Sequence, residues 1–265
     1  MKKAILVAII GAMTLGVNAG DWGKAPVAPA KAPIEECYDI GGEISAGYMS
    51  DYIFHGSRIA RDTVWTDVNY TIDSIVPITI GASYFNFINT PANGVLDDKL
   101  DLYASAALGT FAGFDTSLGY THYFFPETAT GSFGNINLDL RRSLGFADLL
   151  IGTNYAVGGN AALNNGWYHH AGVEKSFGIT DAMSLVIGAG VGYNDQYIVN
   201  SSGWSNYYVT AALPIELNCR ATLTPYIGYN GSITQAGGGQ VADLLPGAGN
   251  HGDVLSAGVS LSVSF

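Results

Sequence analysis

From Leu255 to Phe265 the chain alternates without a break: Leu255, Ala257, Val259, Leu261, Val263 and Phe265 fall on one face, and Ser256, Gly258, Ser260, Ser262 and Ser264 on the other. A period of two is that of a β-strand with two unlike faces. Segments of this form recur from about Asp39 to the last residue. A soluble sandwich would have to cover so many apolar faces with a second sheet of the same domain, whereas a bilayer covers them all at once. Beyond the first 19 residues, no run approaches the roughly 18 uninterrupted apolar residues that mark a membrane helix. If hydrocarbon surrounds this chain, strands must do the crossing.

About twelve segments carry the pattern. They run approximately from Ile40 to Phe54, Val64 to Asp73, Val76 to Phe87, Leu100 to Leu108, Phe114 to Phe124 and Phe133 to Leu144, then from Asp148 to Val157, Trp167 to Phe177, Ser184 to Asn194, Trp204 to Leu213, Arg220 to Asn230 and Asp253 to Phe265. The links between them alternate in length. Ser74-Ile75, Phe111-Ala112-Gly113 and Gly145-Phe146-Ala147 are tight, and Gly178 to Met183 and Ile215 to Cys219 are short. Gly56 to Thr63, Ile88 to Lys99, Pro126 to Ser132, Gly158 to Gly166, Asp195 to Gly203 and Gly231 to Gly252 are longer and polar or glycine-rich. Together these features predict an all-β fold, a transmembrane up-and-down antiparallel β-barrel of about 12 strands, with short turns in the periplasm and long loops outside. An even strand count puts both chain ends on the periplasmic side.

Residues 1–19 read as a cleavable export signal: Lys2 and Lys3, an apolar stretch from Ala4 to Leu15, then the small-residue site Val17-Asn18-Ala19. Residues 20–38 repeat proline among small apolar side chains from Lys24 to Pro33, the composition of an extended periplasmic spacer. Residues 39–265 form the barrel. Removing Lys2 and Lys3 leaves nine basic residues against 22 acidic ones, a balance that excludes nucleic acid as a natural partner. The 35 glycines, 16 tyrosines and 11 phenylalanines set against 12% charged residues fit many strands with aromatic ends.

Alternation assigns Ile44, Val68, Ile80, Leu102, Leu118, Leu138, Ile151, Val191, Val209, Ile227 and Leu261 to outer-membrane lipid. Tyr52, Phe54, Tyr70, Tyr84, Tyr120, Phe124, Tyr155, Trp167, Tyr193, Tyr207 and Tyr229 gather at segment ends, where aromatic girdles belong. The inward charges are Glu43, Asp51, Asp67, Asp101, Asp115, Asp139, Asp148 and Glu174 against Arg141 and Arg220. Such a lumen favours small cations if water fills it. Alternatively, the two arginines tie neighbouring carboxylates together. Small inward residues such as Gly47, Gly81, Ser83, Gly152, Gly188, Gly190 and Gly192 suggest open space. Arg58 and Arg61 in the first long link are candidates for a constriction. Cys37 and Cys219 both belong on the periplasmic rim of such a barrel, so a bridge between them is expected in an exported chain.

No cofactor or metal site is legible. His170 and Glu174 share a face, but four residues along a strand separate them by about 13 Å, too far for shared chemistry. His55, His122 and His251 fall near strand ends or in links, where solvated histidines are common. No serine sits in a nucleophile motif. No enzymatic activity is therefore expected, and a lipid hydrolase ranks behind two other readings: a narrow channel for small hydrophilic solutes or ions, and a closed structural or adhesive barrel whose loops carry the contacts.

Gly47-Tyr48-Met49-Ser50-Asp51-Tyr52-Ile53-Phe54-His55-Gly56 resembles the first-strand signature of the TorF-type porins of Gram-negative outer membranes, in which Ser-Asp-Tyr-x-Phe-Arg-Gly is typical. His55 stands where arginine is usual. The resemblance implies an outer-membrane barrel and a porin role. Phe265, with Val263, Leu261 and Val259 continuing its face, also resembles the terminal signal read by the barrel-assembly machinery, which makes that complex the expected protein partner.

Overall fold

The computed structural model describes residues 40–89, 98–126, 132–158, 165–197, 202–233 and 253–265. The expected signal, the spacer, Cys37 and His251 lie outside the described residues. The strands are β1 (Gly42–Phe54), β2 (Ser57–Ile72), β3 (Ile78–Asn89), β4 (Asp98–Phe111), β5 (Phe114–Phe124), β6 (Phe133–Ser143), β7 (Asp148–Val157), β8 (Trp167–Thr180), β9 (Met183–Asp195), β10 (Ser202–Ala212), the two-residue β11 (Ile215–Glu216), β12 (Ala221–Ser232) and β13 (Val254–Ser264). Each long strand pairs antiparallel with the next. β13 then pairs with β1, so twelve long strands close a ring, and β11 only bridges β9 and β12 at one rim.

Closure follows from the alternation. Ile44, Val68, Ile80, Leu102, Val209, Ile227 and Leu261 point outward and are exposed, while Ser45, Asp67, Ser83, Asp101, Asn137 and Ser260 on the opposite face are buried. A fully paired ring satisfies the backbone from strand to strand, which makes crossing a hydrocarbon layer possible. A belt of exposed aliphatic side chains belongs in a bilayer rather than in water. Tyr70, Tyr84, Tyr120, Trp167, Trp204 and Tyr207 lie exposed toward the strand ends, as girdle residues do.

One rim carries the short connections. Ala112 and Gly113, both at positive φ, turn β4 into β5, and Asp181-Ala182 turn β8 into β9. Both described chain ends meet here, with the Phe265 carbonyl accepting from the Ile40 and Gly42 N–H groups. The opposite rim carries the longer links, with one correction. The stretch from Gly56 to Thr63 is not a loop: Gly56 belongs to a tight turn and Ser57 to Thr63 to β2. β1 turns directly into β2 through His55 (φ 48) and Gly56 (φ 83), the positive-φ pair of a type I′ hairpin turn.

Candidate channel lumen and its inward hairpin

The β1–β2 hairpin does not stay in the wall. β1 pairs with β13 only from Glu43 to Met49, and β2 meets β3 no farther than Arg61. The outer arms, Tyr52 to Phe54 and Ser57 to Ala60, pair only with each other among the described residues. Two irregularities mark their base. Asp62 adopts φ 51 beside Ser50, and Ile59 is left unopposed between the Tyr52–Ala60 and Ile53–Arg58 pairs. Bulges of this kind bend a strand out of its sheet. Beyond them, Tyr52, Ile53, Phe54, His55, Ser57, Ile59 and Ala60 are all buried. Tyr52 and Phe54, expected in the outer girdle, therefore sit inside the barrel, and His55 is not solvated.

The hairpin crosses the lumen. Its tip reaches strands on the far side of the ring, with the His55 ring 4.4 Å from that of Tyr168 in β8 and 4.7 Å from that of Tyr197 beyond β9. Asn230 of β12 donates to the Gly56 carbonyl at 3.0 Å. Asn135 of β6, which donates to Tyr197 at 2.7 Å and to Tyr123 at 3.1 Å, stands beside His55. Met49, Tyr52, Phe54 and Ile59 join Phe85, Phe87, Tyr123 and Phe133 in an apolar cluster inside the ring. The mouth at the long-link rim is thus filled by a small core of its own.

Lys99, which sequence reasoning left at the end of a link, fastens this core to the wall. Its ammonium lies 4.7–5.0 Å from the ring centres of Tyr52, Phe54, Phe85 and Tyr123, hydrogen-bonds the Tyr52 hydroxyl and is 2.9 Å from an Asp101 oxygen. Ammonium groups are attracted to ring faces, more strongly once desolvated, and Lys99 is 2% exposed. The legible signal was the spacing of Lys99 two residues before the inward Asp101, which places both on one face.

The inward carboxylates divide into two sets. Those near cations are Asp51, with Arg58 at 3.3 Å and Arg61 at 3.9 Å; Asp101, with Lys99; and Asp148 and Glu174, with Arg141 at 2.5 and 3.4 Å. Arg141 thus ties two carboxylates together. Asp67 instead accepts from neutral donors, Ser83 at 2.6 Å, Tyr103 at 2.9 and 3.1 Å and Asn69 at 3.0 Å. Asp139 is buried as well, and among the described residues neither it nor Asp67 has a lysine or arginine within ion-pair distance. Glu43 takes hydrogen bonds from Ser45 and Ser264, and Asp115 from Thr110 at 2.5 Å. Arg220 is not lumenal. It is exposed in the short turn before β12, where its carbonyl accepts from Ser264. Cys219 in the same turn is disulfide-bonded, and the chain's other cysteine is Cys37.

Small inward residues do not mean empty space. The space where a side chain at Gly47 would lie holds the Trp65 ring, and Tyr103 fills that of Gly81. Tyr208 does the same at Gly190, and Tyr168 at Gly192, while His170 and Asp139 crowd Gly152. Each of these large inward side chains lies over a glycine on a neighbouring strand, so this part of the lumen wall is packed by large and small residues in alternation. His170 is apart from Glu174, which Arg141 engages instead.

No known family profile matches the sequence, and no curated protein sequence does. Solved structures do. The COG4313 outer membrane channel from Pseudomonas putida F1 superposes with a TM-score of 0.51 at 12% identity, over 90% of this chain and 100% of that one. The NanC porin gives 0.48 at 13% identity, over 84% and 100%, and the KdgM porin 0.49 at 9%, over 84% and 99%. At these identities the likeness to the channel from Pseudomonas putida F1 is one of fold, that of a closed antiparallel β-barrel.

Proposed function

We propose that this chain is an outer-membrane porin of the TorF type, a narrow channel that passes small hydrophilic solutes and prefers cations. The observation that carries the reading is the unbalanced lumen. Four of its carboxylates are offset by Arg58, Lys99 and Arg141, whereas Asp67 and Asp139 have no cationic partner among the described residues. Rings of uncompensated carboxylates raise the local concentration of cations and repel anions. The TorF-type signature, Gly47 to Gly56, coincides with the first arm and turn of the inward hairpin. That gives the motif a structural role: a strand that starts in the wall and ends in the lumen.

In this reading the short-turn rim faces the periplasm, together with the spacer that follows a cleaved signal. The Cys219 disulfide joins it to Cys37. The Val259-Leu261-Val263-Phe265 face is presented to the barrel-assembly machinery before β13 closes on β1. Neither nucleic acid nor enzymatic turnover enters the account.

Reconstitution of the mature chain in planar bilayers tests the proposal. Discrete conductance steps with a reversal potential displaced toward the cation equilibrium value are expected, and Asp67→Asn with Asp139→Asn should reduce the displacement. Anion selectivity would sink the cation preference. The hairpin itself favours a second reading, a closed structural or adhesive barrel, which predicts silence under all conditions.

A further inference from the structure

The wall keeps a place for the hairpin it has lost. Val254 to Ala257 of β13 pair with Asn230 to Ile227 of β12 on one side, but on the other side β1 has already turned away. There the Ala257 N–H is taken up by the Ser50 hydroxyl at 3.0 Å. Among the described residues, the Leu255 backbone on that edge meets no strand. Continuing the β1–β13 register past Met49 and Gly258 would set Ser50 against Ala257, Asp51 against Ser256, Tyr52 against Leu255 and Ile53 against Val254.

The alternation of β1 also suits that position. In β1 the outward residues are Ile44, Ala46 and Tyr48. Extending their alternation sends Tyr52 and Phe54 outward at girdle height and Asp51 inward with the other carboxylates. Tyrosine and phenylalanine at a membrane boundary are favourable in their own right. The irregular backbone at Asp62 and Ile59 sits where the two paths diverge. Besides the apolar cluster of Tyr52, Phe54 and Ile59, the inward path is held by polar ties: Lys99 on Tyr52, Asn230 on the Gly56 carbonyl, Arg58 on Asp51, and Asn135 beside His55.

We propose that the β1–β2 hairpin is a gate with two positions. Folded in, it closes the outer mouth. Swung out, it continues β1 pairing along β13 past Gly258, moves Tyr52 and Phe54 into the girdle and opens the lumen. The consequence for conduction rests on the channel reading, but the movement itself does not.

A cross-link separates the two. Tyr52 now lies in the lumen against Phe85 and Phe87, while Leu255 is 65% exposed on the outer surface, so cysteines at these positions cannot be joined in the inward state. In the Tyr52→Cys/Leu255→Cys double variant, oxidation in membranes should form this disulfide beside the native one, with conductance rising in the oxidised state and falling on reduction. A disulfide that forms without any conductance supports the gate and removes the channel. Failure of the two cysteines to join in a folded barrel overturns the gate. Hydrogen exchange on the unaltered protein covers the case in which the variant does not fold. A gate requires residues 50–60 to exchange faster than the wall segments of β4 and β5. Equal protection would show a fixed plug.

Discussion

The two halves of the barrel obey the same alternation and end differently. In the short-turn half, every strand keeps its apolar face outward, the lumen is lined by hydroxyls, carboxylates and paired arginine, and Gly81 and Gly190 make room for Tyr103 and Tyr208. In the long-link half, one hairpin carries the same pattern into the interior and brings Tyr52, Phe54 and Ile59 with it. The difference shows that alternation specifies which residues share a face, not which face meets lipid. That second choice is made by partners from distant strands. Chief among them is Lys99.

The largest expected effect follows from that residue. Replacing Lys99 with methionine keeps much of the side-chain volume but leaves Asp101 buried without its cation and the four rings without their charge. Removing one partner of a buried ion pair costs roughly 3–5 kcal/mol. The inward hairpin should bear most of this cost, since the wall strands retain their ladders. Urea unfolding in detergent should shift to lower denaturant, and protease should reach the hairpin earlier. An unchanged transition would mean that the rings alone hold it.

A test confined to the other half comes next. Gly81→Val puts a branched side chain where the Tyr103 ring lies and displaces the hydroxyl that Tyr103 gives to Asp67. Overpacking of this kind costs about 1–3 kcal/mol. Thermal stability should fall while the protection of residues 50–60 relative to the wall stays as it was. A selective loss at the hairpin would tie the two halves together more closely than their contacts suggest.

Acidification addresses the hairpin alone. His55 lies in the turn, outside the membrane-spanning strands, facing Phe54, Tyr168, Tyr197 and Asn135, with Lys99 and His170 as nearby basic groups. Burial, aided by those two groups, holds its imidazole well below the ordinary histidine range. The inward state therefore binds fewer protons than one in which the ring reaches water. Its stability is complete above the ordinary value of about 6.5 and declines as pH falls below it. Hydrogen exchange of residues 50–60 should accelerate, relative to the wall, between about pH 7.5 and pH 5. Equal ratios at both values would place the protonation elsewhere.

The wall was legible because the bilayer enforces it. Ile44, Val68, Ile80 and Leu261 can be assigned by counting in twos, and the alternating short and long links are enough to tell the two rims apart. The inside was not, because what fills it depends on register. Gly81 looks like a void until β4 is set against β3 and Tyr103 is found over it. His55 looks like a loop residue until the Asp62 and Ile59 irregularities turn its hairpin inward. Arg220 carried an inward assignment because its segment was begun one residue early, whereas β12 starts at Ala221 and leaves Arg220 in the turn. The errors at Gly81 and His55 come from contacts between residues far apart in sequence, which no local pattern encodes.

The smallest effect separates two arginines that the sequence presents as equals. Arg58 and Arg61 both approach Asp51, but Arg58 does so at 3.3 Å with its side chain 11% exposed, and Arg61 at 3.9 Å with 53% exposed. Solvent screens the second pair, and exposed pairs contribute about 0–1 kcal/mol. Arg61→Ala should therefore leave both unfolding and hairpin protection nearly unchanged. Arg58→Ala should loosen the hairpin measurably, because Asp51 then keeps only its bond from Ser50 and the distant Arg61. Equal effects from the two substitutions would mean that charge at the mouth, rather than the hydrogen-bonded geometry of the inward arm, is what the hairpin needs.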